Sequence, residues 1–197
     1  MKRILLIIAV LFAASGALAK GKTPTLSDRF SEYVHTVTDK APSGPAIESA
    51  YSPEAGSEAL VIRVINASTR SIRLAAYSFT SPTVVRALLN AKKRGVDVQV
   101  VVDEKGNKSK ASIAALNLLV NAGIPARTIA TYAIHHDKYI VSDERHVQTG
   151  SFNYSQSAAK KNSENVIVIW NNTDIASSYL KHWRSRFNQG TDFRSTY

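Results

Sequence analysis

Cysteine is absent from the 197 residues. That single omission removes disulfides, thiolate zinc sites and a cysteine nucleophile together. No Walker-type phosphate loop, no His-Glu-x-x-His and no Gly-x-Ser-x-Gly occurs, so the enzyme classes built on them have no foothold. Asp103-Glu104 has no third carboxylate or histidine at a useful spacing, and no metal centre is expected there. No 20–50 residue repeat and no low-complexity tract is visible. Acidic residues are scarce: 15 Asp+Glu stand against 25 Lys+Arg, a formal charge of +10. A basic surface of that size favours nucleic acid, phosphoesters or anionic lipid as partners, and by itself says nothing about chemistry. With 44% hydrophobic and 20% charged residues the chain is neither disordered nor a coiled coil. Its length suits one domain with a real core.

Long apolar runs are also missing, except at the N-terminus. Lys2 and Arg3 precede the run Ile4 to Ala14, and Ala17-Leu18-Ala19 places small residues at −3 and −1. This pattern predicts a secretory signal over 1–19, cleaved before Lys20. The run is short for a membrane span, and Ser15-Gly16 break it. Loss of Lys2 and Arg3 takes the charge from +10 to +8, so the basic character survives. The expectation is a bacterial protein, periplasmic or secreted, with no membrane anchor in its mature form. Without disulfides, its core must suffice for stability. Sequons at Asn66, Asn153 and Asn171 matter only in a glycosylating host.

Residues 20–45 are polar and punctuated by Pro24, Pro42, Gly44 and Pro45. They predict an arm, with a short helix over 28–37. From there strands are predicted at 46–52, 72–79, 96–102, 126–131 and 166–170. Helices are predicted at 58–67, 82–94, 112–122 and 173–188. A hairpin is predicted from 138–142 and 146–151 around Asp143-Glu144-Arg145. Ser81-Pro82 supplies a capping hydroxyl and a first-turn proline, and Gly95 a stop. Alternating strands and helices imply an α/β domain with a mixed, mostly parallel sheet flanked by helices on both faces. That single domain is expected over 46–190, with a tail at 191–197.

The informative stretch is His136-x-Lys138-x-x-x-x-Asp143. Residues two apart on a strand share a face, so His136 and Lys138 project together while His135 and Asp137 point away. Two possible cations side by side suit a site that receives an anion better than they suit a core. Lysine neutralises non-bridging oxygens; histidine attacks or moves a proton. Downstream, Gly150 permits close backbone approach, and Ser151 and Asn153 supply neutral donors for phosphate oxygens. Glu164 stands at the mouth of an otherwise apolar strand, where a carboxylate can hold an imidazole N–H. His35, His146 and His182 lack a partner pattern. Lys105, Lys108 and Lys110 fit a solvated loop or a contact to a nucleic-acid backbone equally well. Tyr77 and Phe79 read as core.

His136-x-Lys138-(x)4-Asp143, then Gly150-Ser151-x-Asn153 and Glu164-Asn165, resembles the phospholipase D superfamily signature. The segments Ala76-Tyr77-Ser78-Phe79-Thr80-Ser81 and Ala91-Lys92-Lys93-Arg94-Gly95-Val96-x-Val98 resemble that family too, over roughly residues 45–188. Within the family the likeness is to small secreted single-motif endonucleases of the Nuc type. Ser151 replaces a glycine common in the family. The resemblance implies a phosphodiesterase that forms a phosphohistidine at His136. It implies a phosphate clamp of Lys138 and Asn153 assisted by Ser151, and a Glu164 that orients and polarises His136. Asp143 is implied to support the hairpin rather than to touch substrate. Members need two motifs, so this chain is expected to form a homodimer with one composite site, its two His136 rings titrating as a coupled pair. No cofactor and no metal is expected. The expected substrate is DNA, with RNA as a variant. The competing expectations are a lipid phosphodiesterase using the same site, and a catalytically silent nucleic-acid-binding module. No exposed apolar docking patch is expected outside the N-terminal run.

Overall fold

Short β-branched strands and capped amphipathic helices alternate along the chain, and the computed structural model, which describes residues 40–196, shows how they assemble. In order these are β1 (Ala46–Ser52), α1 (Ser57–Ala67), β2 (Ser71–Ala76), α2 (Pro82–Lys93) and β3 (Asp97–Asp103). A 3-10 turn (Lys105–Asn107) leads to α3 (Lys110–Asn121), β4 (Ala126–Ile129), β5 (Lys138–Ser142) and β6 (His146–Gly150). The remaining elements are α4 (Gln156–Lys160), β7 (Glu164–Trp170), α5 (Thr173–Gln189) and β8 (Thr191–Asp192). The N-terminal address and the helix predicted over 28–37 lie outside the described residues.

One sheet of eight strands runs in the order β1-β7-β6-β5-β2-β3-β4-β8. It is mixed and flanked by helices on both faces, as expected, but the balance of directions is the reverse of the prediction. Only β2–β3 and β3–β4 pair in parallel. The other five pairings are antiparallel. The reason lies in the connections. Neighbouring strands are joined by a strand–helix–strand crossover only through α2 and α3, whereas β5, β6 and β7 follow one another by antiparallel return, which needs no crossover.

Period-two alternation splits the core between the faces. Ile72, Leu74 and Ala76 of β2, Val98, Val100 and Val102 of β3, and Ile140 of β5 join the larger core with α1, α2 and α3. Ala75, Val101, Tyr139 and Val141 turn to the other face, where α5 lays down Ala176, Leu180 and Trp183. Complete burial of Leu88 on α2 is worth roughly 1.5–3 kcal/mol on its own. The helix starts follow from their caps. Ser81 accepts from the Val84 N–H at 3.3 Å, Ser109 from Ser112 at 3.2 Å, and Asn172 from Ile175 at 3.0 Å.

Two small elements were not predicted. α4 spans five residues, and β8 two. β8 pairs with β4, and Thr196 N–H donates to Asn117 Oδ1 at 3.1 Å, so the expected tail is woven into the fold. β2 stops at Ala76, which leaves Tyr77 to Phe79 outside the sheet ladder.

Candidate active site

Strand register brings the chemically interesting residues to one end of the sheet. Lys138 opens β5 opposite Ala76, the last residue of β2. Gly150 closes β6 opposite Val166 of β7, and Glu164 opens β7 opposite Ser52 at the end of β1. Ser151 follows β6 directly. The segment holding Asn153 continues to Tyr154, which bridges to Phe79 just beyond β2.

The expected alternation of side chains is present. His136 meets Tyr77 edge-on, with ring centroids 4.9 Å apart and planes at 64°. The Lys138 Nζ donates to the His136 carbonyl at 3.0 Å and lies 5.4 Å from the Tyr77 ring centroid. Lys138 is only 8% exposed. Burial pushes its ammonium down from the ordinary lysine range, and the carboxylates of Asp137 and Glu164 offset only part of that. His135 and Asp137 point the other way. Asp137 Oδ2 lies 2.9 Å from His182 Nε2 on α5 and 3.4 Å from His135 Nδ1. His135 is buried, and desolvation holds it below the ordinary histidine range despite the pull of Asp137 and Asp103.

Ser151 and Glu164 sit close together and bond to each other. The Ser151 hydroxyl donates to Glu164 Oε2 at 2.5 Å and accepts from Asn165 N and Nδ2 at 3.0 and 3.2 Å. Its one proton is therefore committed. Glu164 Oε1 accepts from Asn162 Nδ2 at 2.9 Å. Within the chain no hydrogen bond joins Glu164 to His136; its carboxylate is taken up by Ser151, just after β6, and Asn162, just before β7. Asn153 keeps a buried side-chain oxygen with no partner. Gly150 has φ 147°, and a Cβ there would come within 2.2 Å of the Asn165 carbonyl, so glycine is required.

Asp143 lies at the far end of β5, away from His136. Its carboxylate accepts from the N–H groups of Thr69, Arg70 and Ser71 at 2.9, 2.7 and 2.9 Å, and from the Thr69 hydroxyl at 2.9 Å. Burial alone would push its pKa up, but these donors outweigh burial and hold it below the ordinary carboxylate value.

Several contributors escaped the sequence reading. Tyr77 is half-buried, not core, and touches both His136 and Lys138. Asp103 links two loops: Oδ2 accepts from the His135 N–H at 2.8 Å and Oδ1 from Gly106 at 2.6 Å. Asn107 is buried and donates to the Tyr77 carbonyl at 2.6 Å while accepting from the Phe79 N–H at 2.9 Å. The loop bearing Lys105, Lys108 and Lys110 is thereby fastened beside the site. The contacts of Asp103 with His135 and of Asn107 with Tyr77 and Phe79 span about thirty residues of sequence, so no local pattern announces them. Among the described residues no three His, Asp or Glu side chains converge as a metal site, and no helix is long and apolar enough to cross a membrane.

An exposed apolar strip is present, contrary to expectation. Ile47 is 70% exposed and pairs with Ile169, and Tyr51 is 54% exposed near the site end of β1. Ile167 and Ile169 are only partly covered. The strip exists because α5 is too narrow to cover the α5-side face of β1 and β7; period-two alternation left these residues outside the core.

Residues 61–189 match the family described as cardiolipin synthase, PLD-like domain. The phospholipase D of Rickettsia prowazekii is 36% identical over 140 residues, spanning 71% of this chain and 67% of that one. The crystal structure of Nuc from Salmonella typhimurium, a phospholipase D family member, superposes with a TM-score of 0.76 at 51% identity, over 77% of this chain and all of that one. NucT from Helicobacter pylori shares the fold at 22% identity, with a TM-score of 0.66 over 76% of this chain and all of its own.

Proposed function

The chain belongs to the phospholipase D superfamily of phosphodiesterases, and from that premise we propose that it is an exported, metal-independent endonuclease that cuts DNA, with RNA as an alternative substrate, through a phosphohistidine. The observation that carries the proposal is the His136–Lys138 pair at the end of the sheet, with the ammonium tied to the His136 carbonyl and the His136 side chain exposed. The 51% identity to Nuc over all of that chain supports the nuclease reading, as do the charge of +10 and the lysine loop fastened beside the site.

The chemistry balances with two copies of the chain. The neutral imidazole of one His136 donates its lone pair to phosphorus, forming a P–N bond. The P–O bond to the leaving oxygen breaks, and that oxygen takes a proton from the protonated His136 of the second copy. This second imidazole, now neutral, deprotonates water, which attacks phosphorus and breaks the P–N bond. Lys138 of each copy neutralises the charge that grows on the equatorial oxygens, and Asn153 turns its amide toward them. The geometry favours Ser151 and Glu164 as a bonded pair that frames the site, with Glu164 acting on Lys138 through its charge. A homodimer is supported by the uncovered strip of Ile47, Tyr51, Ile167 and Ile169, which runs along the β1–β7 edge to the site end of the sheet.

A lipid reading draws support from the Rickettsia relative named phospholipase D. One experiment separates the two. Supercoiled plasmid and phospholipid vesicles are each incubated with wild type and His136→Ala, with and without excess chelator. Plasmid cutting that survives chelator and disappears in His136→Ala is expected. Vesicle hydrolysis without plasmid cutting overturns the nuclease assignment, and full loss of activity in chelator overturns metal independence.

A further inference from the structure

We propose that Tyr77 is a positioning residue of this site, its ring face holding the Lys138 ammonium and the same ring, inclined in a T-shaped pair, steering the His136 imidazole. Both contacts come from one side chain: 5.4 Å from Nζ to the ring centroid, and 4.9 Å between rings inclined at 64°. The electrostatics suit the two jobs. An aromatic face is negative and attracts a cation, while a T-shaped ring pair fixes the second ring's plane. Lys138 needs such help. It is 8% exposed and makes a single hydrogen bond, to a carbonyl that fixes its direction without supplying a counter-charge. The charged or titratable groups acting on it are His136 and, through its charge although its carboxylate turns away to His182, Asp137 on its own segment, Glu164 on β7 and Tyr77 beyond β2.

Tyr77 is itself well anchored. Asn107 donates to its carbonyl at 2.6 Å, and Gly106 packs so closely that a Cβ there would lie 3.0 Å from the ring carbon Cε2. The ring therefore arrives as a fixed platform, although it lies outside the strand ladder.

The inference rests on the phosphodiesterase reading for its kinetic test and stands without it for its spectroscopic one. Tyr77→Phe keeps the ring; Tyr77→Leu removes it, with Tyr77→Met as the replacement should the leucine variant not fold. On bis(p-nitrophenyl) phosphate, the phenylalanine variant should stay within about twofold of wild type. The leucine variant should lose on the order of tenfold in kcat with little change in KM. Removing the ring withdraws stabilisation from the ammonium, so the alkaline limb of the rate profile should move to lower pH in Tyr77→Leu alone. NMR titration of the Lys138 side chain should show the same downward displacement. Wild-type kcat and an unmoved Lys138 titration in Tyr77→Leu would overturn the inference. A phenylalanine variant as impaired as leucine would overturn it too, by assigning the effect to the hydroxyl. If wild type and His136→Ala are equally active, the phosphodiesterase reading at His136 fails, while the NMR titration still decides the role of Tyr77.

Discussion

The two ends of β5 treat their polar groups in opposite ways. At one end Lys138 is nearly buried with a single hydrogen bond, and the neighbouring Asn153 keeps a side-chain oxygen with no partner. At the other end, the Asp143 carboxylate collects bonds from three backbone N–H groups and a hydroxyl. Both ends belong to one short sequence motif. Unmet polar capacity inside a protein costs free energy, and free donors such as those left on the Lys138 ammonium are what an anionic ligand completes. Satisfied capacity adds stability and offers nothing to a substrate. The motif thus joins a chemical end and an architectural end, separated by the length of a five-residue strand.

Substitutions at the two ends sharpen this contrast. His136→Ala should reduce turnover by about 10⁴-fold or more with the fold intact, measured by plasmid cutting and circular dichroism. Lys138→Met should lower kcat by roughly 10²–10³-fold while leaving the melting temperature unchanged or higher, because it relieves a poorly solvated charge. Asp143→Asn should do the reverse. It should cost about 2 kcal/mol of stability, read by urea unfolding, and change turnover per folded molecule by less than about threefold. The acidity of Asp143 gives a second handle. Its folded value lies below its unfolded one, so its stabilisation is complete above pH ~4 and lost as pH falls through the lower folded value. That acid-labile component should be missing in Asp143→Asn. A large loss of kcat in this variant would erase the distinction between the ends.

The smallest expected effect concerns His146, one residue past the hairpin turn. It is buried, and its Nδ1 accepts from the Asn171 N–H at 2.9 Å, which demands an unprotonated nitrogen. Desolvation, then the charge of Arg145, holds it below the ordinary histidine value. Its stabilisation is therefore complete above pH ~6.5 and declines as pH falls below that value. His146→Asn keeps an acceptor without a titrating ring, and should flatten this decline in denaturant midpoints followed from pH 7.5 to 5.

Periodicity made much of this architecture legible. The seven residues of β1 and the capped start of α2 were readable because alternation, hydroxyl caps and proline act within a few residues. The direction of the sheet was not, because pairing is a tertiary choice: nothing near Ala46 announces that it will lie opposite Trp170. The site divides along the same line. His136 and Lys138 were visible as positions two apart. Tyr77 and Asp103 became partners only through the β2–β5 pairing and the Asp103–His135 bond. Glu164 was read as a histidine partner because it stood alone in an apolar run; its bond to Ser151 follows from strand register, which the sequence does not print.

Asp103 has a practical consequence for anyone remodelling this enzyme. One of its oxygens grips Gly106 in the lysine-bearing loop, and the other grips the residue immediately before His136. The two segments are thus mechanically geared through a single carboxylate. Transplanting the loop from another protein without its aspartate would leave the backbone leading into His136 unmoored, so 103–110 must be exchanged as one cassette.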